Sequence, residues 1–265
     1  MTDLDDIKGF ILDLDGVIYS GNAPIPGAAG FLAHLRESGR KYVFATNHTV
    51  HTTAGIVTKL RRVGVTATED QVITASSVVI TFLEAQSHEP PARINLVAQG
   101  GIVNDLSAWG AVLTTNRPGY VVVGWDPGCD YEALRQACIN VRDGARLVVT
   151  SPDRAIPSER GWELGMGALG AAVEYATGVT ATYVGKPHAA MIDLALQRLD
   201  LPRSQVAIIG DTLETDIRTR SLNGLGASVL VLSGNATADD AKQVAPEDQP
   251  TVIVPSVAEL IAAIT

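Results

Sequence analysis

Short apolar runs alternate with longer segments of helical periodicity along most of the chain. The runs are rich in β-branched residues, are apolar on both faces, and occupy residues 10–12, 42–45, 206–209, 229–232 and 252–254. Runs of this kind are typical of parallel strands that helices cover on both sides. The segments between them place apolar residues three and four positions apart, as core-facing helices do, at 30–36, 53–62 and 191–199. The pattern therefore predicts an α/β fold.

The middle of the chain predicts a second α/β unit. It contains three further strand-like runs, at 93–97, 120–123 and 146–149, and a helical apolar face between 131 and 141. The polar, proline-bearing segment 87–91 is typical of a linker, and we expect the chain to return near Gly178. We predict a core of residues 1–87 and 179–265, with residues 88–178 inserted as a second domain.

Composition and charge argue against binding to nucleic-acid polymers and to membranes. The chain has 20 Lys and Arg against 29 Asp and Glu, a net charge of -9, so its surface should repel nucleic-acid polymers. Its two cysteines cannot form a disulfide framework, which favours a reducing compartment. The start is acidic, and no apolar run is long enough to cross a membrane. We expect a cytoplasmic protein that does not bind membranes.

Polar residues follow three of the predicted core strands directly. Asp13 follows the first run, Thr46 follows the second, and Asp211 follows the run at 206–209 and Gly210. Ligands bind at the carboxyl ends of strands in open parallel sheets, because loops and helix N-termini converge there. The three positions predict one site.

Two acidic clusters belong to this edge. Asp13 and Asp15 lie two positions apart before Gly16, and Asp211 precedes Asp216 by five residues. Each cluster alone has a structural reading, as an Asp-Gly turn or as an acidic helix start. Together they supply three or four oxygen donors, which suit a hard divalent cation such as Mg²⁺.

Lys186 is the residue that a purely structural reading explains least well. It precedes the helix at 191–199, where a cation opposes the helix dipole and favours a nearby anion. A solvent-facing lysine is the alternative, and Thr46-Asn47 has the alternative role of capping a helix. A hydroxyl, an amide and an ammonium beside an acidic metal site would form a phosphate-binding site.

These segments, in this order, resemble the four motifs of the haloacid dehalogenase superfamily: Asp13–Gly16, Thr46-Asn47, Gly185-Lys186-Pro187 and Gly210–Asp216. The chain is most similar to the NagD and p-nitrophenyl phosphatase branch, whose members carry a large α/β cap between the second and third motifs. The resemblance implies a Rossmann-like core with an inserted cap. It also implies a phosphatase that acts on a small phosphorylated metabolite. Relatives of this branch are often dimers, and a homodimer stays open for this chain.

The resemblance assigns different roles to the two acids of the first motif. Asp13 would be the nucleophile that becomes an aspartyl-phosphate, and Asp15 would be the general acid and base. Dehalogenases lack an acid at the second position because a halide leaves without a proton, which favours a phosphatase here. A phosphomutase and a catalytically weak sensor of phosphorylated metabolites stay open as alternatives.

The resemblance also implies a ligand set. Magnesium would be held by the carboxylate of Asp13, the main-chain carbonyl of Asp15 and the carboxylate of Asp211, with Asp216 supporting them. Three residues of the other motifs would contact the phosphoryl oxygens: Thr46, Asn47 and Lys186.

The cap departs from the branch at positions that face substrate in relatives. Ser151-Pro152-Asp153 stands where Asn-Pro-Asp is common, and Trp162 lies in a segment where relatives often have Pro-Gly. We therefore expect Asp153 and Trp162 to influence specificity, although Trp162 has packing within the cap as its alternative. His48 replaces a common Asn and is interpreted as a loop or helix-start residue. The substrate candidates are sugar phosphates, nucleoside monophosphates, glycerol phosphate and pyridoxal phosphate.

Overall fold

The computed structural model describes residues 4–86, 91–158, 161–262 and 264. The strands are β1 (Gly9–Leu12), β2 (Tyr19–Ser20), β3 (Ala23–Pro24), β4 (Lys41–Thr46), β5 (Val72–Thr74), β6 (Arg93–Val97), β7 (Val112–Leu113), β8 (Tyr120–Val123), β9 (Arg146–Val149), β10 (Ala155–Ser158), β11 (Gly161–Leu164), β12 (Thr182–Tyr183), β13 (Val206–Gly210), β14 (Ala227–Val231) and β15 (Val252–Val254). The α-helices are α1 (Ala28–Glu37), α2 (Thr53–Arg62), α3 (Ala75–Gln86), α4 (Gly101–Trp109), α5 (Tyr131–Arg142), α6 (Met166–Thr177), α7 (Ala189–Leu199), α8 (Arg218–Asn223) and α9 (Ala238–Ala241).

The first compact unit comprises residues 1–46, 56–73 and 186–265. Its six-stranded sheet has the order β15-β14-β13-β1-β4-β5. Strand β1 runs parallel to β13 and β4, and β14 runs parallel to β13 and β15. Every residue of β1, β13 and β14 is buried, because these central strands have covered faces on both sides. The predicted α/β class and its core strands are confirmed.

The second compact unit comprises residues 47–55 and 74–185. Its five-stranded sheet has the order β12-β9-β8-β6-β7, and an antiparallel hairpin, β10-β11, precedes α6. Its core is formed by apolar residues of the central strands and of the helices packed on them, among them Val121, Val123, Leu147, Val149, Leu169 and Val173. A second α/β unit is therefore present, as the sequence predicts.

The second compact unit includes residues 47–55 and 74–86 in addition to the middle of the chain. Helix α3 groups with the second unit, because Glu84 accepts a hydrogen bond from Trp109 Nε1 (2.9 Å) and Gln86 accepts one from Arg146 (2.8 Å). Most of the predicted linker, residues 87–90, lies outside the described residues. In the described part of the chain, no helix combines the length and the apolar character needed to cross a membrane.

Candidate active site

Three neighbouring strands of the first unit end beside one another. Strand β1 lies between β13 and β4, so Asp211, Asp13 and Thr46 stand at adjacent carboxyl ends. The main-chain N–H of Asp13 continues the sheet pattern by donating to the carbonyl of Ile209 (2.9 Å). The fold thus places side chains from three separate motifs at one edge, where ligands of open parallel sheets bind.

Three carboxylates form a cluster at this edge. One oxygen each from Asp13, Asp211 and Asp216 lies within 4.8 Å of the other two, and the last two residues are buried. Asp216 lies on a π-helical turn, Leu213–Ile217, and its Oδ2 accepts the N–H of Thr212 (3.1 Å). A Cβ on Gly210 would come within 2.2 Å of the Asp216 side chain, so this close approach requires glycine.

Lys186 joins two of these acids. Its side chain is 2% exposed, and its Nζ donates to Asp13 Oδ1 (2.5 Å) and to Asp216 Oδ1 (2.7 Å). The alternative that Lys186 faces solvent is therefore wrong. Asn223 fixes the following loop, since its Nδ2 donates to the carbonyl of Pro187 (2.8 Å). A buried ammonium thus lies against the carboxylate at the end of β1.

Burial and mutual repulsion govern the ionisation of this cluster. Burial raises the pKa of the Asp13 carboxyl well above its usual range; Lys186 opposes the rise, and Asp216 and Asp211 add to it. Burial by itself would lower the pKa of the Lys186 ammonium, but Asp13 and Asp216 more than offset it, so that pKa is raised. The ammonium stays charged, and one cation does not compensate three carboxylates.

Asp211 is held by a residue that the sequence analysis missed. Both the main-chain N–H (2.8 Å) and the side-chain Nδ2 (2.7 Å) of Asn235 donate to Asp211 Oδ2, while Thr212 Oγ1 donates to Oδ1 (3.2 Å). Burial, followed by the charge of Asp216, raises the pKa of Asp211 to about 6 against these hydrogen bonds. Asn235 follows β14 after three residues, so the rule that found Asp211, a polar residue just beyond a buried strand, also applies to it.

The turn after Asp13 packs against the same acid. Gly16 has φ +74°, and a Cβ there would lie 2.5 Å from Asp211 Oδ2, so the position requires glycine. Ser233 Oγ donates to the Gly16 carbonyl (2.6 Å). The carboxylate of Asp15 does not belong to the three-acid cluster found among the described residues. Burial and the charges of Asp15 and Asp13 raise the pKa of the nearby Tyr19 hydroxyl, which keeps the phenol neutral.

The remaining expected site residues belong to the second unit. Asn47 donates from Nδ2 to Asp153 Oδ2 (3.3 Å), and Ser151 Oγ donates to the same oxygen. His48 is exposed, and its Nδ1 accepts the N–H of Val50 (3.3 Å), as expected of a loop residue. The Trp162 side chain on β11 is 79% exposed, so packing within this unit does not explain it.

The chain matches known hydrolases over most of its length. Residues 10–111 match the haloacid dehalogenase-like hydrolase family, and residues 183–260 match the HAD-hydrolase-like family. An acid sugar phosphatase of Staphylococcus saprophyticus is 37% identical over 215 residues, 81% of this chain and 82% of the relative.

Solved structures agree with this placement. A 4-nitrophenylphosphatase from Thermotoga maritima is 32% identical with a TM-score of 0.90, over 99% of each chain. NagD from E. coli K-12 is 32% identical with a TM-score of 0.83, over 96% of this chain and 98% of that one. The chain thus belongs to the haloacid dehalogenase-like hydrolases, in their NagD-like and p-nitrophenyl phosphatase-like branch of phosphoric monoester hydrolases.

Proposed function

We propose that the protein is a magnesium-dependent phosphatase that hydrolyses a small phosphate monoester through an aspartyl-phosphate on Asp13. The observation that carries the proposal is the buried Lys186, which donates to both Asp13 and Asp216 within the three-acid cluster. An ammonium in this position can neutralise charge as an anionic carboxylate and an anionic phosphate approach each other.

The acids fit a divalent metal ion. Burial, and then repulsion among three carboxylates within 4.8 Å of one another, raise the pKa values of Asp13 and Asp211, so a further cation would stabilise their charged forms. Hard carboxylate oxygens are the donors that Mg²⁺ prefers. Asp13, Asp211 and Asp216 would hold it, with the carbonyl of Asp15. When bound, Mg²⁺ would lower the electrostatic barrier by neutralising charge on the phosphoryl oxygens.

In the first step, the Asp13 carboxylate attacks phosphorus while the bond from phosphorus to the substrate oxygen breaks. Lys186 favours the ionised form of Asp13, against the burial that raises its pKa, and orients the carboxylate through its bond to Oδ1. Asp15 donates a proton to the departing oxygen, so the leaving group departs as an alcohol. Thr46, the buried last residue of β4, would donate to a phosphoryl oxygen from its hydroxyl, and Asn47 would assist.

In the second step, Asp15 acts as a base. Having lost its proton to the alcohol, it accepts one from a water molecule that attacks the phosphorus of the aspartyl-phosphate. The bond between Asp13 and phosphorus breaks, inorganic phosphate leaves, and the Asp13 carboxylate is regenerated. Lys186 then returns to neutralising a free carboxylate.

Sugar phosphates are the first substrate class to test. The Staphylococcus relatives that bear the name acid sugar phosphatase span 81–89% of this chain, which supports this choice. We propose that substrates are chosen by the second unit, where Trp162 is an exposed aromatic surface for contact with a ring or base. Asp153 would act through its bond to Asn47.

The function is tested by a panel of sugar phosphates, nucleoside monophosphates, glycerol phosphate, pyridoxal phosphate and p-nitrophenyl phosphate, assayed for release of inorganic phosphate. We expect release that requires Mg²⁺ and stops on chelation. Isomerisation of a sugar phosphate without net release would instead indicate a phosphomutase. Binding without turnover of any substrate would indicate a sensor.

We expect protons and metal to compete at Asp211. Its folded pKa of about 6 lies above the ordinary carboxyl value of 3.8, so the folded protein binds this proton more tightly than the unfolded chain does. Asp211 therefore adds stability as the pH falls through 6, and in EDTA this contribution disappears as the pH rises to 7. Stabilisation of the folded protein by Mg²⁺ should have the opposite pH dependence and increase above pH 6, because Asp211 is then ionised and free of its competing proton.

Thermal unfolding between about pH 5 and 8, with EDTA and with Mg²⁺, measures both trends. The matched variant is Asp211→Asn, in which both pH dependences should weaken because one of the two carboxyls with a raised pKa is gone, while Asp13 still titrates. If Mg²⁺ stabilised Asp211→Asn as much as it stabilises the wild type at every pH, a role for Asp211 in metal binding would be contradicted.

We expect Trp162→Ala to change substrate preference and not the chemical step. Loss of a stacking surface should alter kcat/KM for ring-bearing substrates by about fivefold relative to glycerol phosphate, since an aromatic contact is worth about 1 kcal/mol. Tyr175→Ala is the control, because Tyr175 is a 95% exposed aromatic residue of the same unit. Steady-state kinetics on the panel would reject the role if Trp162→Ala changed all substrates equally or none.

A further inference from the structure

The first unit contains a second concave site, at the end of the sheet opposite the acid cluster. A pocket of about 430 Å³ lies beside the start of β4 and the end of α7. Its lining includes four cationic residues, Arg36, Arg40, Lys41 and Arg198, and one carboxylate, that of Asp70. A lining with a formal charge of +3 is unexpected in a chain whose net charge is -9.

Neutral acceptors hold three of these cations, Arg36, Lys41 and Arg198, in place. Arg36 Nη1 donates to the hydroxyl of Tyr42 (2.9 Å), and Lys41 Nζ donates to the carbonyl of Leu199 (2.8 Å). Arg198 Nη1 donates to the carbonyl of Asp70 (2.8 Å). Phenol and carbonyl oxygens orient a cation without cancelling its charge, so these three side chains keep their positive charge in the pocket.

Three of the lining cations, Arg36, Lys41 and Arg198, form no ion pair with a carboxylate among the residues that the structure describes. A guanidinium has five N–H donors and an ammonium three, so each cation has the capacity to bind an added anion while keeping the bonds described. Arg198 is partly buried, which strengthens its interaction with any charge that enters.

The pocket is distinct from the proposed catalytic site. Lys41 begins β4 and Thr46 ends it, and five strand steps of about 3.3 Å separate them by about 16 Å. The pocket is also at the far end of α7, a helix that begins three residues after Lys186. A phosphate at the acid cluster therefore does not reach it.

We propose that this pocket binds a small multivalent anion, through guanidinium and ammonium contacts to its phosphate or carboxylate groups. Guanidinium groups pair with either kind of oxyanion, and pockets of roughly 300–1,000 Å³ accommodate small metabolites. The occupant would touch the amino end of β4 and the carboxyl end of α7. Strand β4 ends at Thr46, and α7 begins shortly after Lys186. The ligand is thus a candidate effector, and its binding does not depend on the proposed function.

Isothermal titration with tripolyphosphate and, separately, with citrate tests the proposal. The full-length protein is used in EDTA, so that neither metal bridging nor metal-dependent turnover contributes. We expect one binding event that the charge-removing double variant Arg36→Gln/Lys41→Gln weakens at least about tenfold, as loss of two charge-assisted contacts would. Arg36→Lys/Lys41→Arg should retain binding. The tighter of the two probes identifies the ligand as a phosphate or a carboxylate compound.

Two control variants separate this site from other anion sites. Arg61→Gln/Arg62→Gln removes two exposed cations of α2 in the same unit and should weaken binding less than about twofold, as expected of distant surface charges. Lys186→Ala removes the catalytic cation and should leave this binding event in place. Three results would each overturn the proposal. The first is an equal loss of affinity in Arg36→Gln/Lys41→Gln and Arg61→Gln/Arg62→Gln. The others are a loss of all binding in Lys186→Ala and an absence of binding by the wild type.

Thermal unfolding without anion checks that Arg36→Gln/Lys41→Gln folds. If this variant unfolds, Arg36→Gln alone serves instead, because Arg36 is exposed on α1. This single variant should weaken binding in the same direction, and unchanged affinity would overturn the proposal. Turnover of p-nitrophenyl phosphate should match the wild type in the absence of probe, since neither residue belongs to the acid cluster.

Discussion

Asp13→Asn should reduce turnover of every substrate to background. The substitution removes the attacking oxyanion and one of the three carboxylates of the cluster, so no phosphoenzyme can form. Steady-state release of phosphate from p-nitrophenyl phosphate, followed with Mg²⁺ in excess, measures the loss.

The fold should survive this substitution. Burial and the neighbouring acids already disfavour the Asp13 charge, and Lys186 keeps its bond to Asp216 (2.7 Å) when Asp13 becomes neutral. Thermal unfolding in EDTA should therefore show a native-like transition. Substantial residual turnover by a folded Asp13→Asn protein would mean that another group attacks phosphorus.

Lys186→Ala should lower kcat/KM by about 10²–10³-fold, as removal of one preorganised charge at such a site does. The loss arises because Lys186 contacts Asp13 and compensates charge as phosphate approaches. The variant should also be less stable than the wild type in EDTA, since removing one partner of a buried ion pair costs about 3–5 kcal/mol.

Lys186→Met and Lys186→Arg are the matched controls. Methionine preserves most of the side-chain length without charge and should behave as alanine does, whereas the planar guanidinium should restore stability more than activity. Added Mg²⁺ should recover part of the lost stability in all three variants, because the cation would compensate Asp13 and Asp216. Wild-type kinetics for Lys186→Ala would remove Lys186 from the catalytic account.

The central strands and the acids at their ends could be predicted from the sequence because burial and the sheet edge restrict which residues fit there. Strands β1 and β13 are buried on both faces, so they must be apolar throughout, and their continuous runs are visible in the chain. The polar residue after each run, Asp13 and Asp211, is constrained by the sheet edge. The structure brings Asp13 and Asp211 into one cluster, and Lys186 contacts Asp13 across 173 positions of the chain.

Other elements lack such a signature. The hairpin β10-β11 contains no apolar run, so its strands are indistinguishable from loop in the sequence. Helix α3 is apolar without a clear polar face and follows β5 with no intervening loop, which hides its start. Neither Asn235 nor Lys41 matches a catalytic motif, and their significance depends on the neighbours that the fold provides.

Capture of the covalent intermediate in Asp15→Asn tests the central claim most directly. The substitution removes general acid and base assistance worth roughly 10²–10⁴-fold but leaves the nucleophile in place. Because p-nitrophenolate leaves with little protonation, the first step should suffer least and hydrolysis of the phosphoenzyme most. After acid quench, intact-mass analysis should show one added phosphoryl group that peptide mapping places on Asp13, and Asp13→Asn/Asp15→Asn should show none. A phosphoryl group on another residue, or full steady-state activity of Asp15→Asn, would contradict the account.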